Sequence, residues 1–428
     1  MKNSKYNIFF PFKDYIVGYN SLENDFVFLL PELYAIFEKA SNDDVNRLRT
    51  IHPNLWNVLE NKKFIIPDDT DELKLVKNLV HSIDCDPKQY HLIINPTMDC
   101  NFRCWYCYES HMHGSKMDNE IIARIKKHLS LKLQSEQIKN LTISWFGGEP
   151  LLYFKQVILP ILEFSHDLTS REGVNFNSNF TSNGFLLNKY MIEEFNRLNV
   201  NSIQITLDGD RERHNKVRNN GKGIGSYDTI LRNIKTCLTH RIYVSCRINI
   251  SKDTLPGIYK IINDFKDLKS AERQYIDFSF NKVWQEKMNL NDEFMKLIER
   301  FQLLGFNTKY NMFNDTVRNS CYADKENQAT INYNGDVYKC TARDFAPSNR
   351  EGFLDKDGNI YWNNRYYERM DAKFKNKPCL LCKILPICNG SCSQKALESK
   401  GIDYCIHNYS EKMKIDIIKN KLINTFSK

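Results

Sequence analysis

The spacing of apolar residues changes character near residue 89 and again near residue 301. Before the first change, Tyr6–Phe12, Tyr15–Tyr19 and Asp25–Leu30 are short aromatic and β-branched runs that predict strands. Glu32–Lys39, Asp43–Ile51 and Leu55–Asn61 then carry helical periodicity, with the Ser41–Asp44 stretch supplying a cap. Lys62–Pro67 predicts a further short strand and Asp71–Ile83 a further helix. From residue 89 to 300 strands and helices alternate. The strands are expected at 90–95, 140–146, 174–181, 202–207, 241–250 and 274–280. Helices are expected at 118–133, 154–169, 188–197, 226–238, 254–268 and 291–303. Six such βα units predict a parallel sheet with right-handed crossovers, whose ligands gather at the C-terminal strand ends. In the last third, Asn332–Tyr338 reads as a hairpin with an Asn-Gly turn that brings Cys321 and Cys340 together, and Tyr409–Lys428 as a basic amphipathic closing helix. The expected domains are 1–88, 89–305 and 306–428.

Composition narrows the class. The 428 residues are 42% hydrophobic and 26% charged, as in a soluble globular protein. The net charge of +8 is dispersed, with no basic block and no aromatic RNA-binding motif, so nucleic acid is not an expected partner. No apolar run reaches the length of a membrane span, and the start of the sequence lacks a signal-peptide core, so a cytoplasmic protein is expected. Of thirteen cysteines, ten fall into ordered groups, which in a long cytosolic chain suggests metal rather than disulfides. The remaining three, Cys85, Cys237 and Cys246, are read as core residues.

The first group follows the first strand of the alternating region: Cys100, Cys104 and Cys107, spaced C-x3-C-x2-C. Thiolates at this spacing can wrap one metal centre from a single loop, and a cubane needs four ligands, so three would leave one iron open. A zinc loop closed by His111 or His113, or buried apolar cysteines, are the alternatives. One strand later comes Gly147-Gly148-Glu149-Pro150, where glycines allow close backbone approach and a carboxylate can accept from an ammonium group. The second group is Cys321, Cys340, Cys379, Cys382, Cys388, Cys392 and Cys405, for which a pair of zinc knuckles is the alternative.

Together these motifs resemble the radical S-adenosylmethionine (SAM) superfamily and its SPASM extension, over about residues 89–408. The resemblance implies an incomplete, TIM-like (β/α)6 barrel. It also implies a [4Fe-4S] cluster on Cys100, Cys104 and Cys107 whose fourth iron binds SAM, which is cleaved to a 5′-deoxyadenosyl radical. On the same ground Gly147, Gly148 and Glu149 hold the methionine amino group. Thr206 contacts the ribose or carboxylate, and Arg218 pairs with the carboxylate, each of which could otherwise be a structural cap or ion pair. Arg247 and Asn249 are candidates for the adenosine side, while Asp208 and His214 organise the loop after the fourth strand. Thr181–Gly184 fits a plain strand-end turn as well as a ligand contact. Tyr275, Phe278 and Phe280 are expected in the core. Two auxiliary iron–sulfur clusters are implied, one on Cys321, Cys340 and Cys392 and one on Cys379, Cys382, Cys388 and Cys405. No cysteine precedes Cys321 within residues 301–320, which leaves the first of these clusters with an open iron, a non-cysteine ligand or a peptide thiolate as its fourth ligand.

Within the subgroup, most relatives modify a ribosomal peptide or a protein side chain. The expected function is maturation of a precursor peptide by a thioether or carbon–carbon crosslink, with a flavodoxin or ferredoxin as electron donor. Residues 1–88 resemble the winged-helix-like element that grips leader peptides, though a structural extension packed on the barrel fits nearly as well. The alternatives are an anaerobic sulfatase maturase and a peptide epimerase. The maturase family carries an Asp directly after the cysteine matching Cys340, whereas Thr341 stands here and Asp344 is displaced, a speculative base that is by default solvated or capping. A zinc-stabilised binding protein is the non-enzyme alternative.

Overall fold

Backbone pairing follows the alternation of apolar residues from the first strands onward. The computed structural model describes residues 1–428 except 136, 220–224, 288–289, 310–314, 391, 400–402, 406 and 427–428. Contacts group these residues into two compact units. One contains residues 1–86, 312–326 and 367–428, and the other 87–311 and 327–366.

In the first unit, β1 (Lys2–Asn3) pairs with β5 (Ile65–Ile66), and β2 (Asn7–Phe12), β3 (Tyr15–Asn20) and β4 (Asp25–Leu29) form an antiparallel three-stranded sheet. Helices span Pro31–Asp43, Pro53–Asn61 and Glu72–Asp84. The last starts where the Asp71 carboxylate accepts the Lys74 N–H, satisfying a donor that the first turn leaves open. Ile8, Phe10, Val17, Tyr19 and Phe26 share one core with Ile384, Ile387, Ile418 and Leu422. The N-terminal element and the cysteine-rich C-terminal segment are thus halves of one packed body. Ile418 and Leu422 lie on the closing helix Glu411–Phe426, whose two further expected residues, 427 and 428, fall outside the described ones.

The second unit is built on an eleven-stranded sheet. In chain order its strands are β6 (Gln89–Ile94), β7 (Asn140–Trp145), β8 (Asn175–Ser182), β9 (Val200–Leu207), β10 (Tyr243–Ile250), β11 (Ile276–Lys282) and β12 (Asn307–Lys309). They continue with β13 (Gln328–Ile331), β14 (Asp336–Tyr338), β15 (Gly352–Leu354) and β16 (Ile360–Trp362). Strands β6 to β12 run parallel in sequence order, and β13 joins parallel to β6 on its other edge, followed by an antiparallel β14–β16 meander. This is an α/β fold built on a large parallel sheet. All six expected strands are present, because their β-branched and aromatic runs bury one face continuously.

Three local expectations need correction. The helix expected at 254–268 is broken into Leu255–Gly257, Ile258–Ile261 and Ile262–Phe265, since Pro256 supplies no N–H and Gly257 packs against Asp210. The helix expected from 154 starts at Leu159 after a π turn, because Pro160 cannot complete the preceding helical bonds. Cys237 and Cys246 are buried in the core, but Cys85 is only half-buried and bonds His81 at the end of its helix. The β13–β14 turn has Tyr333 and Asn334 at its centre, closed by Gly335 N–H to Asn332 O, with Gly335 in the left-handed region.

Phe278 is fully buried between Phe265, Phe301 and Phe306, each ring edge-on to it. Phe278→Ala is expected to cost about 3–5 kcal/mol in anaerobic urea unfolding, the range for a buried phenyl that leaves a cavity.

Candidate functional site

The segment after β6 is a loop anchored by the buried Met98 and Phe102 and pinned by hydrogen bonds throughout. Thr97 Oγ1 donates to Ser115 O at 2.5 Å and accepts from Asp99 N at 2.8 Å. Ser115 Oγ accepts from Met98 N at 3.0 Å. The Asp99 carboxylate accepts from Cys100 N and Gly114 N and meets His113 Nδ1 at 3.1 Å. The two ends of the loop are therefore closed on each other. Cys100, Cys104 and Cys107 then line a single cavity of about 340 Å³. Burial pushes all three thiols up, to about 12 for Cys100 and about 11 for Cys107. Such thiols favour the thiolate only when a metal takes the charge, so the donor set fits an iron–sulfur ligand loop. His111 Nε2 approaches Cys107 Sγ at 3.5 Å, whereas His113 is turned to Asp99. Among the described residues, no three His, Cys, Asp or Glu side chains gather tightly enough to hold one metal ion.

The glycine pair after β7 is set against this loop. Gly148 N bonds Thr97 O and Glu149 N bonds Asp99 O. A Cβ on Gly147, whose φ is +95°, would stand 2.4 Å from Thr97 O, and one on Gly148 would stand 2.2 Å from Asp99 O. Only glycine permits that approach, and both glycines line the cavity. Glu149 does something else. Its carboxylate is fully buried and accepts from Leu151 N at 3.0 Å, Ser182 Oγ at 2.9 Å and Asn183 N at 2.8 Å. Burial pushes its pKa up and these three bonds oppose the shift. Glu149 ties the turn to the end of β8, and Thr181, Ser182 and Asn183 reach the cavity wall.

A second polar cluster lies at the ends of β9 and β10. Asp208 is fully buried, and its Oδ2 accepts from Arg218 Nε at 2.7 Å and Tyr106 Oη at 2.5 Å. Tyr106 Oη also accepts from Arg218 Nη2 at 2.8 Å and Asn249 Nδ2 at 3.1 Å. Arg247 Nε donates to Asn249 Oδ1 at 2.8 Å. His214 Nδ1 accepts the Asp208 N–H, and its Nε2 meets Ser226 Oγ at 3.0 Å, as expected of a residue that organises this loop. Burial holds His214 well below its usual range, so it stays neutral. Thr206, Arg218, Arg247 and Asn249 all line the same cavity. Tyr106 escaped the sequence reading, although it sits inside the cysteine spacing itself.

At the mouth, Tyr108 stacks on Trp284 with centroids 5.0 Å apart, and Arg343 lies 5.4 Å over the Trp284 ring. Asp344, the speculative base, accepts from Ser110 N at 3.0 Å and Ser110 Oγ at 2.7 Å, which is a capping contact. The carboxyl group that lines the cavity is Glu109, pushed up to about 8 by burial and then by Asp344.

In the other unit, burial pushes the Cys379 thiol up and the Cys388 thiol to about 12, and the charges of Cys382 and Cys405 add to both shifts. Cys321 and Cys392 belong to that same unit, and Cys340 to the sheet unit.

Residues 94–269 match the family model described as Radical SAM superfamily. The matched segment, which holds the cysteine loop and the glycine turn, is similar to radical SAM enzymes. A radical SAM enzyme takes SAM and a [4Fe-4S] cluster, and the thiol-lined cavity beside the glycine turn is suited to both. Among curated proteins, the chain is 21% identical to the radical SAM cyclopropyl synthase TigE of Paramaledivibacter caminithermalis, over 85% of this chain and 80% of that one. It is 27% identical to the cysteine-type anaerobic sulfatase-maturating enzyme of Clostridium novyi, over 44% of this chain and 51% of that one. The chain spans about half the length of several curated relatives that it matches. Its fold is like that of Streptococcus suis SuiB bound to S-adenosylmethionine, with a TM-score of 0.55 and 16% identity, covering 95% of this chain and 99% of that one. No helix among the described residues is long and apolar enough to cross a membrane.

The raised Glu109 predicts a pH effect. Its neutral form is favoured in the folded state, so its carboxyl weakens the fold progressively as pH rises from its unfolded value near 4.5 to about 8. Glu109→Gln removes that penalty. The stability advantage of the variant is expected to grow between pH 6.0 and 8.5 in anaerobic unfolding of the holoprotein, and a constant difference would contradict the assignment.

Proposed function

We propose that this radical SAM enzyme modifies a ribosomally synthesised precursor peptide, forming a thioether or carbon–carbon crosslink. The observation that carries the reading is the convergence of Cys100, Cys104 and Cys107 with Gly147, Gly148, Thr206, Arg218 and Asn249 on one cavity. In this reading the three thiolates hold the cluster and leave its fourth iron to SAM. The Gly147–Gly148 backbone receives the methionine amino group, while Glu149 holds that backbone in place from behind. Arg218, oriented by Asp208, presents its guanidinium to the carboxylate, and Thr206, Arg247 and Asn249 serve the ribose and adenine. When bound, SAM and the cluster supply a 5′-deoxyadenosyl radical that takes a hydrogen atom from a substrate Cα or Cβ. Closing the crosslink then releases one proton and one electron. Cys379, Cys382, Cys388 and Cys405 would hold an auxiliary cluster, which would supply an acceptor for this electron. Residues 1–88 serve the leader peptide, and a flavodoxin or ferredoxin supplies the electron that starts each turnover.

SuiB, whose fold this chain resembles over most of its length, is also known bound to its precursor peptide SuiA, which supports a peptide substrate here. Against the sulfatase-maturase reading stands Thr341 after Cys340, together with the commitment of Asp344 to Ser110.

Cys104→Ala is expected to abolish 5′-deoxyadenosine formation under dithionite, because ligation of the SAM cluster becomes incomplete. Release at the parental rate would refute the assignment. Cys382→Ala is expected to retain part of that SAM cleavage while losing peptide product, as judged by mass spectrometry of a co-expressed precursor. For the parent enzyme a loss of two mass units per site favours crosslinking, and an unchanged mass favours epimerisation.

A further inference from the structure

Most polar side chains that line the cavity spend their bonds within the protein. Tyr106, Arg218 and Asn249 serve one another, and Ser182 serves Glu149. Asn183 Nδ2 donates to Asn101 Oδ1 at 2.7 Å, and Gln285 Nε2 donates to Tyr106 O at 3.0 Å. Thr181, Gln204 and Thr206 line the same cavity, and among the described residues their side chains have no hydrogen-bond partner. These three are neighbours. Gln204 and Thr206 stand two apart on β9 and so project from one face, and strand register sets Thr181 of β8 beside Gln204. The alternate residues Phe180, Ile203, Ile205 and Leu207 belong to the apolar core on the other face.

The same surface continues past the cavity. One step back along the strands, Asn179 pairs in register with Ser202. Both are half-buried, and their side chains also lack a partner among the described residues. From Thr206 back to Ser202 the strand runs about 13 Å, enough for four extended residues. All five side chains are amides or hydroxyls, and none is charged. A barrel that fills its own interior packs branched apolar residues at such positions. Amides and hydroxyls instead offer donors and acceptors side by side, the complement of a peptide group, which carries one of each.

We propose that Thr181, Gln204, Asn179 and Ser202 form a subsite for the main chain of the substrate. An extended, uncharged peptide segment lies along β8 and β9, with its peptide groups on these side chains, and a neighbouring Cα is thereby held in the cavity. Thr206 stays with SAM. This rests on the reading of the cavity as a site for SAM and a peptide.

The probe is pentaglycine, acetylated at one end, amidated at the other and deuterated at every Cα. It is incubated with the anaerobic full-length holoprotein, SAM and dithionite. One Cα–D bond breaks and one C–D bond forms at the 5′ carbon of 5′-deoxyadenosine. The glycyl radical left behind takes an electron from dithionite and a proton from water. Mass spectrometry of the 5′-deoxyadenosine reads the transfer, which is expected to saturate with the probe. Gln204→Met keeps the length of the side chain and loses its hydrogen bonds. It is expected to raise the KM for the probe roughly tenfold, the scale of one lost hydrogen bond between uncharged groups, with a smaller effect on kcat. Gln204→Asn restores part of the loss, and Asn179→Leu shifts KM in the same direction as Gln204→Met. An unchanged KM in either Gln204→Met or Asn179→Leu overturns the proposal, as does a parent enzyme that transfers no deuterium. A purely structural role for Gln204 lowers kcat and leaves KM alone, which also overturns it. Preference for the same peptide with a free C-terminal carboxylate would place the contact at Arg247 instead and overturn it as well. Failure of the underlying reading looks different: no 5′-deoxyadenosine forms, with or without the probe.

Discussion

A carboxylate with no access to water must find its charge partners inside the protein, and Asp208 is such a group. Its partners are Arg218 and Tyr106, and Tyr106 belongs to the cysteine loop rather than to the strand. Satisfying Asp208 therefore fixes where that loop lies. Removing one member of a buried pair of this kind typically costs about 3–5 kcal/mol, because the other charge is left stranded. The same contacts orient the Arg218 guanidinium, and Asn249 enters through the Tyr106 hydroxyl. One electrostatic requirement thus sets the loop, the arginine and one strand end together.

The opposite side of the loop is fixed by backbone contact. Thr97 and Asp99 carbonyls accept from Gly148 and Glu149, at a separation no side chain on the glycines would allow. Behind them Glu149 binds the end of β8 with two hydrogen bonds, from Ser182 and Asn183, and closes its own turn with a third, from Leu151. The cavity between these supports is lined by backbone and by side chains with fixed partners. Sites built this way lose little order when a ligand arrives.

Much of this was legible in the sequence, for identifiable reasons. The six parallel strands were legible because burial forces β-branched and aromatic runs of the right length, and the three cysteines and two glycines because their chemistry demands fixed spacing. Polar networks leave no such trace. Thr97, Asp99, Ser115 and Tyr106 are ordinary residue types whose roles exist only once distant strands meet. The Glu149 carboxylate was expected to serve the ligand, and its bonds to Leu151, Ser182 and Asn183 left no trace in the spacing. Prolines 160 and 256 were visible in the sequence, yet helical periodicity alone overrode them. The shared core of residues 8–26 with residues 384–422 depends on pairings between segments that lie hundreds of residues apart, which periodicity cannot report.

That shared core gives Cys382 and Cys388 an apolar setting supplied partly by the N-terminal sheet, so the first strands contribute to the surroundings of the C-terminal sulfurs. The proposed SAM site is the cavity at the strand ends, where three thiols would leave one metal position to the amino acid moiety of SAM. Electron-nuclear double resonance on the dithionite-reduced protein with SAM labelled with nitrogen-15 at its amino group tests it most directly. A resolved hyperfine coupling from that nitrogen to the cluster is predicted. Its absence from protein shown to contain the reduced cluster and bound SAM would contradict the account.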